Sequence, residues 1–394
     1  MTAIPIAGMG AISAAGSTAG AGYPAVEKGS DNLRPLQSFQ SGLKEQPLCA
    51  EIPPEVTLPD APNRTAALSA TVLEQALQPL ADRSRLRVSL TFATTVAGMT
   101  RSEVFYRACL RDAAFLQKAG EELACHEPTA IAGYLAHKFG CHSFYSLSTA
   151  CSTGLHAIGM AKRLIEAGVC DACVALGADA LSMLTVRGFA GLLLVDPGGA
   201  RPFDKKRAGI SLGEGAGALL LIHPDILSSY GLQAYAWVEG WGASADCHHM
   251  TAPHPEGTGA RRAVESAVKQ AGIEPARIDY IASHGTGTPD NDAAEIRAMH
   301  SIFDELPPFG SMKRTIGHTL AASGALESVY AVGAMQAGMI PATGGFDEPD
   351  ESIGAAPSPM QKRNINYLLK NSFGFGGNNA AVIFSNGENE SAAK

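Results

Sequence analysis

A chain of 394 residues, 46% hydrophobic and 17% charged, can bury one large core or two intimately packed ones. Its 43 glycines and 23 prolines suit a compact α/β protein with many tight turns rather than a coiled or disordered chain. A net charge of −8 argues against a general affinity for nucleic acid or an anionic membrane surface.

The N-terminal "TAIPIAGMG" predicts a first strand and turn. "GMGAIS" imitates the start of a dinucleotide-binding loop, but its third glycine position is Ser13 and no strand-ending acid follows at the right distance. Residues 28 to 64 carry Pro35, Pro47, Pro53, Pro54, Pro59 and Pro62 and predict a loop-rich stretch. Apolar residues at helical spacing predict a helix over Arg64–Leu77. Further strands are expected in "LRVSLTFATT", "DACVALGADAL", "GALLLIH", "IDYIASHGTGT" and "NAAVIF", and a polar, frayed tail in "SNGENESAAK". The N-terminus carries no secretory signal, and no apolar run reaches the ~18 residues of a membrane span. Eight scattered cysteines in such a chain imply reduced thiols and a cytoplasmic setting.

"STACSTGLHAIG", Ser148–Gly159, sets Cys151 among small residues where a strand gives way to a helix. Free cysteines are often simple buried hydrophobes. A helix N-terminus stabilises a thiolate, however, and small neighbours leave room for a substrate, so core filler and nucleophile both remain open here. "SHGTGTPDND" puts His284 at a strand end, where α/β sheets bind ligands, with the hydroxyls of Thr286 and Thr288 beside it. The bland alternative is a turn with a capping histidine. "SMKRTIGHTLAASG" puts Lys313 and His318 in a loop before an apolar helix that carries Glu327; the three form either a buried charge network or a solvated surface. "NSFGFGGNNAAVIF" predicts a glycine-dense loop leading into a strand, suited to aiming backbone N–H groups at an oxyanion. Cys170 and Cys173 form a CxxC without a second pair, and "CHHM" with His254 lacks an obvious carboxylate, so no metal is expected.

Two stretches of equal length, Gly154–Gly168 and Gly324–Gly338, each follow a reactive-looking residue and repeat an apolar helical pattern. They suggest two related α/β halves facing one another, with the site drawn from both.

In order, "TACSTG", "RPFDKKRAGISLGEGAGALLL", "HGTGTP", "KRTIGH" and "NSFGFGGNNA" resemble the β-ketoacyl-acyl-carrier-protein synthases, most closely the elongating Cys-His-His type. The resemblance covers nearly the whole chain. It implies an α/β, thiolase-like fold of two related βα halves in a five-layered αβαβα sandwich, with halves at residues 1–235 and 236–394. It further implies Cys151 as acyl-accepting nucleophile, His284 and His318 as catalytic histidines, and Lys313 with Glu327 as a supporting pair. Phe375, between Gly374 and Gly376, corresponds to the gate and an oxyanion donor. Thr286 and Thr288 correspond to contacts with the carrier's phosphopantetheine arm. The implied partners are an acyl carrier protein and either an identical subunit or a chain-length-factor-like one, with no metal or redox cofactor. Two less direct expectations are that Val96 lines the acyl pocket and that Lys205, Lys206 and Arg207 meet an acidic carrier. Ala208, Asn291 and Asn378 depart from the family pattern; at Asn291 a left-handed turn residue is expected. Set against this reading are a chain-length partner lacking the nucleophile, a thiolase, a Cys-His hydrolase and a non-catalytic carrier-binding scaffold. A thiolase needs a second cysteine near the C-terminus, and none lies beyond Cys247.

Overall fold

The computed structural model describes residues 2–387; seven residues of the tail expected to fray lie outside them. Ten strands form a mixed sheet: β1 (Ile4–Ser13), β2 (Val88–Ala93), β3 (Ser143–Leu147), β4 (Ala172–Asp179), β5 (Gly215–Ile222), β6 (Ala236–Ala245), β7 (Tyr280–Ala282), β8 (Phe309–Gly310), β9 (Tyr367–Gly374) and β10 (Asn378–Ser385). Their order across the sheet is β8-β7-β9-β10-β6-β1-β5-β4-β2-β3. The first five strands thus run 3-2-4-5-1, and the second five repeat that order. Directions repeat too: β4-β2-β3 and β9-β7-β8 are parallel, while β1-β5-β4 and β6-β10-β9 are antiparallel. The half-sheets join through their first strands, from Ile4 opposite Val238 to Ile6 opposite Ala236.

The principal helices are α1 (Arg64–Leu77), α2 (Met99–Arg111), α3 (Pro128–Phe139), α4 (Thr153–Glu166), α5 (Met183–Gly191), α6 (Thr258–Ala271), α7 (Pro289–His300) and α8 (Ser323–Ala337). Helices α4 and α8 are the repeat seen in sequence. Leu155 and Ile158 of α4 and Leu326 and Val329 of α8 share one core with Leu219 of β5 and Val382 of β10, between the half-sheets. Leu68, Val72 and Leu73 of α1 cover the outer face of the first half-sheet with Ile131 and Leu135 of α3. Val264 of α6 and Ile296 and Met299 of α7 cover the second. Helix, sheet, helix, sheet and helix stack in five layers, as the resemblance implied. The glycines of "GMG" serve this packing. A Cβ at Gly8 or Gly10 would lie 2.1 Å from Ala76 O or 2.3 Å from Val72 O, so they let α1 rest on β1 and bind no nucleotide loop.

Two local expectations change. "NSFG" is not loop: Asn371–Gly374 complete β9, and a single turn at Phe375–Gly377 leads into β10. Its polar residues are buried in the sheet, which hides the alternation that marks a strand. Asn291 lies inside α7 in right-handed backbone, where its amide donates to the Asp292 carboxylate at 3.1 Å. Cys170 and Cys173 are buried free thiols at the start of β4. Among the described residues no helix is long and apolar enough to cross a membrane.

Candidate active site

The site forms where the central helices begin. A Cβ added at Gly154 would lie 2.5 Å from the Ala325 nitrogen, and one at Gly324 would lie 2.6 Å from the Leu155 nitrogen. These reciprocal contacts let the N-termini of α4 and α8 cross backbone to backbone. That crossing brings Cys151, just before α4, up to His318, just before α8.

Cys151 follows Ala150, whose φ of +53° is strained for a residue with a Cβ. The turn is tied down by Thr149 N–H donating to Thr153 Oγ1 at 2.9 Å and Ser152 Oγ donating to Thr149 O at 2.9 Å. Cys151 Sγ lies 3.1 Å from His318 Nε2, and His318 Nδ1 lies 3.0 Å from Ser323 Oγ. The backbone of His318 is held by the first half of the chain: its N–H donates to Ser211 O at 2.7 Å, and its carbonyl accepts from Gly213 N–H at 3.1 Å. Gly317, with φ +68°, permits this approach, since a Cβ there would meet Gly213 at 2.7 Å. The His284 ring stands edge-on to His318, with centroids 5.4 Å apart, and packs against Phe373 at 5.9 Å.

Burial raises the Cys151 pKa to about 11, although Lys313 and the backbone N–H groups of Phe375 and Cys151 pull it down. Desolvation thus outweighs the pull of the backbone N–H groups, and the resting group is a thiol. Burial, reinforced by the Lys313 and Lys370 ammonium groups, drives both histidines well below their usual pKa, so both rings are neutral near pH 7. A thiol facing a neutral imidazole can hand over its proton as it attacks.

Lys313 and Glu327 are buried and paired, rather than solvated. Reading the sequence missed their third member, Lys370, whose Nζ lies 2.6 Å from the other Glu327 oxygen. A lysine interrupting the apolar run "YLLKNSF" was the available signal. Asp179 was missed as well. It is fully buried at the end of β4 and accepts from Thr94 Oγ1 at 2.6 Å, Val96 N–H at 2.8 Å and Ala321 N–H at 2.8 Å.

A cavity of about 190 Å³ opens from Cys151, His284 and His318 past Thr286, Thr288 and Phe375. Thr286 and Thr288 hydroxyls lie 3.0 Å apart on its wall. Gly374 runs against the turn that carries Cys151; a Cβ there would sit 3.0 Å from Thr149 O and 3.1 Å from Cys151 N. Phe375 stacks at 5.5 Å on Phe189, Gly376 has φ +76°, and Asn378 donates to Phe375 O at 3.1 Å. Val96 is not on the cavity wall. It packs in an apolar cluster with Leu212 and Leu320, behind Ile210 and Phe189, which do line the cavity. Within the basic run Lys205 and Lys206 share Glu348 at 2.7 and 3.4 Å and stay exposed, while buried Arg207 pairs with Asp350 at 2.6 Å. Arg207 is thus unavailable to a carrier, and its ion pair forms with Ala208 as its neighbour. The imidazoles of His248 and His254 pack against each other at 5.0 Å, and no cluster among the described residues is arranged to hold a metal ion.

Comparison with known proteins agrees with this geometry. The family profile for the β-ketoacyl synthase N-terminal domain matches residues 69–224, and that for the C-terminal domain matches residues 235–347. The 3-oxoacyl-[acyl-carrier-protein] synthase 2 of Vibrio cholerae is 38% identical over 253 residues, 61% of this chain and 61% of that protein. The first curated relatives are thus matched over about three fifths of their length. The protein of the same name from Coxiella burnetii is 31% identical over 412 aligned positions, covering 97% of this chain and 98% of the other. Among solved structures, a β-ketoacyl synthase from Burkholderia phymatum superposes with a TM-score of 0.87 at 27% identity, covering 98% of this chain and 99% of that one. The ketosynthase ApeO of Xenorhabdus doucetiae, solved in complex with its chain length factor ApeC, gives 0.83 at 29%, covering 97% and 98%. The ishigamide ketosynthase/chain length factor gives 0.88 at 25%, covering 97% and 98%. Two profile matches that together take in most of the chain, and a relative aligned along its whole length, show that this protein belongs to the β-ketoacyl synthase family.

Proposed function

We propose that the chain is a β-ketoacyl-acyl-carrier-protein synthase, joining an acyl group to malonyl-carrier by decarboxylative Claisen condensation. The observation that carries this reading is the 3.1 Å approach of Cys151 Sγ to neutral His318 Nε2, with His284 edge-on beside it. In the first half-reaction Cys151 Sγ attacks the carrier thioester while its proton passes to His318 Nε2. The backbone N–H groups of Cys151 and Phe375 face the developing oxyanion, where one such donor is worth about 3 kcal/mol. Collapse expels the carrier thiolate, which takes the proton back. Malonyl-carrier then binds and its carboxylate leaves as carbon dioxide, the electron pair forming an enolate. For this step His318 takes its other neutral tautomer, with the proton on Nε2 and Ser323 Oγ–H donating to Nδ1, so that His284 and His318 donate N–H hydrogen bonds to the enolate oxygen. The enolate carbon attacks the Cys151 thioester, and the 3-ketoacyl carrier forms as the Cys151 thiolate leaves and takes up one proton from solvent water.

Each step is served by groups of the chain and by the carrier's phosphopantetheine arm, for which the Thr286 and Thr288 hydroxyls line the way in. Residues 1–235 then supply the nucleophile and residues 236–394 both histidines. Phe375, hinged by Gly374 and Gly376 and resting on Phe189, is the gate, and Val96 shapes the acyl channel from behind its wall.

The test is a purified assay with acyl- and malonyl-carrier. Acyl groups trapped on Cys151 and detected by mass spectrometry, followed by a 3-ketoacyl product two carbons longer, are the expected result. Release of free acid instead would make the chain a hydrolase. The ApeO and ishigamide structures favour a second form of this reading, in which the chain is the active subunit of a heterodimer with a chain length factor. Activity that appears only on adding such a subunit would establish that form.

A further inference from the structure

Lys370 stands where a strand facing the central layer calls for an apolar residue. Its neighbour two positions back, Leu368, lies in the core between the half-sheets, and Lys370 itself is fully buried. A buried ammonium is costly unless paired, and Glu327 already has a partner in Lys313. Neutralising Glu327 therefore does not account for Lys370. What distinguishes it is its other contacts. Nζ donates to Ala282 O at 3.3 Å, Ser283 O at 3.1 Å and Asn371 O at 2.7 Å. The ladder between β9 and β7 ends with Lys370 opposite Ala282, so the ammonium takes over the carbonyls just where the chain leaves the sheet toward His284. On the far side, Glu295, also buried, accepts from His284 N–H and Gly285 N–H at 2.8 Å each, and from Asn371 Nδ2 at 3.2 Å.

We propose that Lys370 is a positioning residue for decarboxylation: with Glu295 it clamps the backbone on either side of His284. The charged and titratable groups around the ring are His318, Cys151, Lys313, Lys370, Glu327 and Glu295. His284 Nδ1 is buried with no hydrogen-bond partner among the described residues, so no carboxylate anchors a proton there. Burial comes first and the ammonium groups of Lys313 and Lys370 follow among the causes that lower the His284 pKa.

The inference rests on the proposed role of His284, and its test separates the two. In the full-length protein, Lys370→Met should leave Cys151 acylation, followed by intact-mass spectrometry, within about threefold of wild type. Malonyl-carrier decarboxylation at pH 7 should fall about ten- to a hundredfold. The acid limb of its pH profile should move up rather than down, since a neutral ring is needed and a nearby positive charge has gone. Lys370→Gln, which retains one donor for the carbonyls but no charge, should recover most of the rate at pH 8 while keeping the displaced limb. Unchanged decarboxylation with an unmoved limb overturns the clamp, as does equal loss of both half-reactions, which marks simple damage to the fold. If His284→Ala leaves decarboxylation intact, the role of His284 itself fails, whatever Lys370 does.

Discussion

Cys151 and its two histidines divide the chemistry by charge state. A thiol whose pKa is raised to about 11 has to pass its proton to a base, and His318 Nε2 is 3.1 Å away. In the proposed mechanism Cys151→Ala removes the acyl acceptor, so condensation should drop to background in a carrier assay. Cys151→Gln keeps the pocket filled and should still release carbon dioxide from malonyl-carrier, measured as bicarbonate. The histidines have pKa values lowered by burial and by neighbouring ammonium groups. A lowered pKa extends the neutral form to more acidic pH than the ordinary value of about 6.5 allows. Decarboxylation should accordingly stay flat as pH falls from 8 through 6.5 and decline only below that; a midpoint at 6.5 or above would contradict neutral histidines as the donors. The residue types and their order were legible in sequence. Lys370 was not, because a lone lysine in an apolar run has the same sequence signature whether it snorkels to solvent or pairs in the core.

At the scale of elements, the turn between β9 and β10 and the crossing of α4 with α8 hold the site together. Gly374 touches the turn that carries Cys151 closely enough that Gly374→Ala requires β9 and that turn to part by a few tenths of an ångström. The Phe375 N–H then leaves the oxyanion position, and Cys151 acylation should slow by about a hundredfold, read by stopped-flow or intact mass, with the protein still folded. At the helix crossing a side chain has no room on either partner. Gly154→Val should cost about 3 kcal/mol of stability by overpacking, seen as a lowered urea midpoint, and acylation should be lost with it. Sequence showed the two helices as a repeat with glycines at matching places. That Gly154 and Gly324 meet each other, rather than each meeting a strand, required the two halves to be docked. The turn after Phe373 was legible from its glycines, but the strand before it was hidden by buried Lys370, Asn371 and Ser372.

Over the whole molecule, each half completes the other's site. Asp179 ends a strand of the first half, yet its carboxylate holds Ala321 N–H, three residues beyond His318, together with the loop at Thr94–Val96. Asp179→Ala leaves these buried donors unpaired and should cost on the order of 3 kcal/mol, with a matching loss of acylation. A thermal midpoint within error of wild type would show that the halves are docked by the apolar central layer alone.

The sequence by itself pointed to two related α/β halves through its duplicated helix, and to their layered stacking through its resemblance to the β-ketoacyl synthases. The order of its motifs also singled out Cys151, His284, His318, Lys313 and Glu327 through their resemblance to the β-ketoacyl synthases, where the residues read alone left core and surface alternatives open. Only the tertiary structure decided their charge states and reach. Desolvation makes Cys151 a resting thiol and keeps both histidines neutral, and it depends on how completely two distant halves exclude water. The same packing placed the basic run at Lys205–Arg207 in ion pairs within the chain, set Val96 behind the cavity wall, and drew Lys370 under His284. Each is a contact between residues far apart in the chain, and local sequence carries no record of distance across a fold.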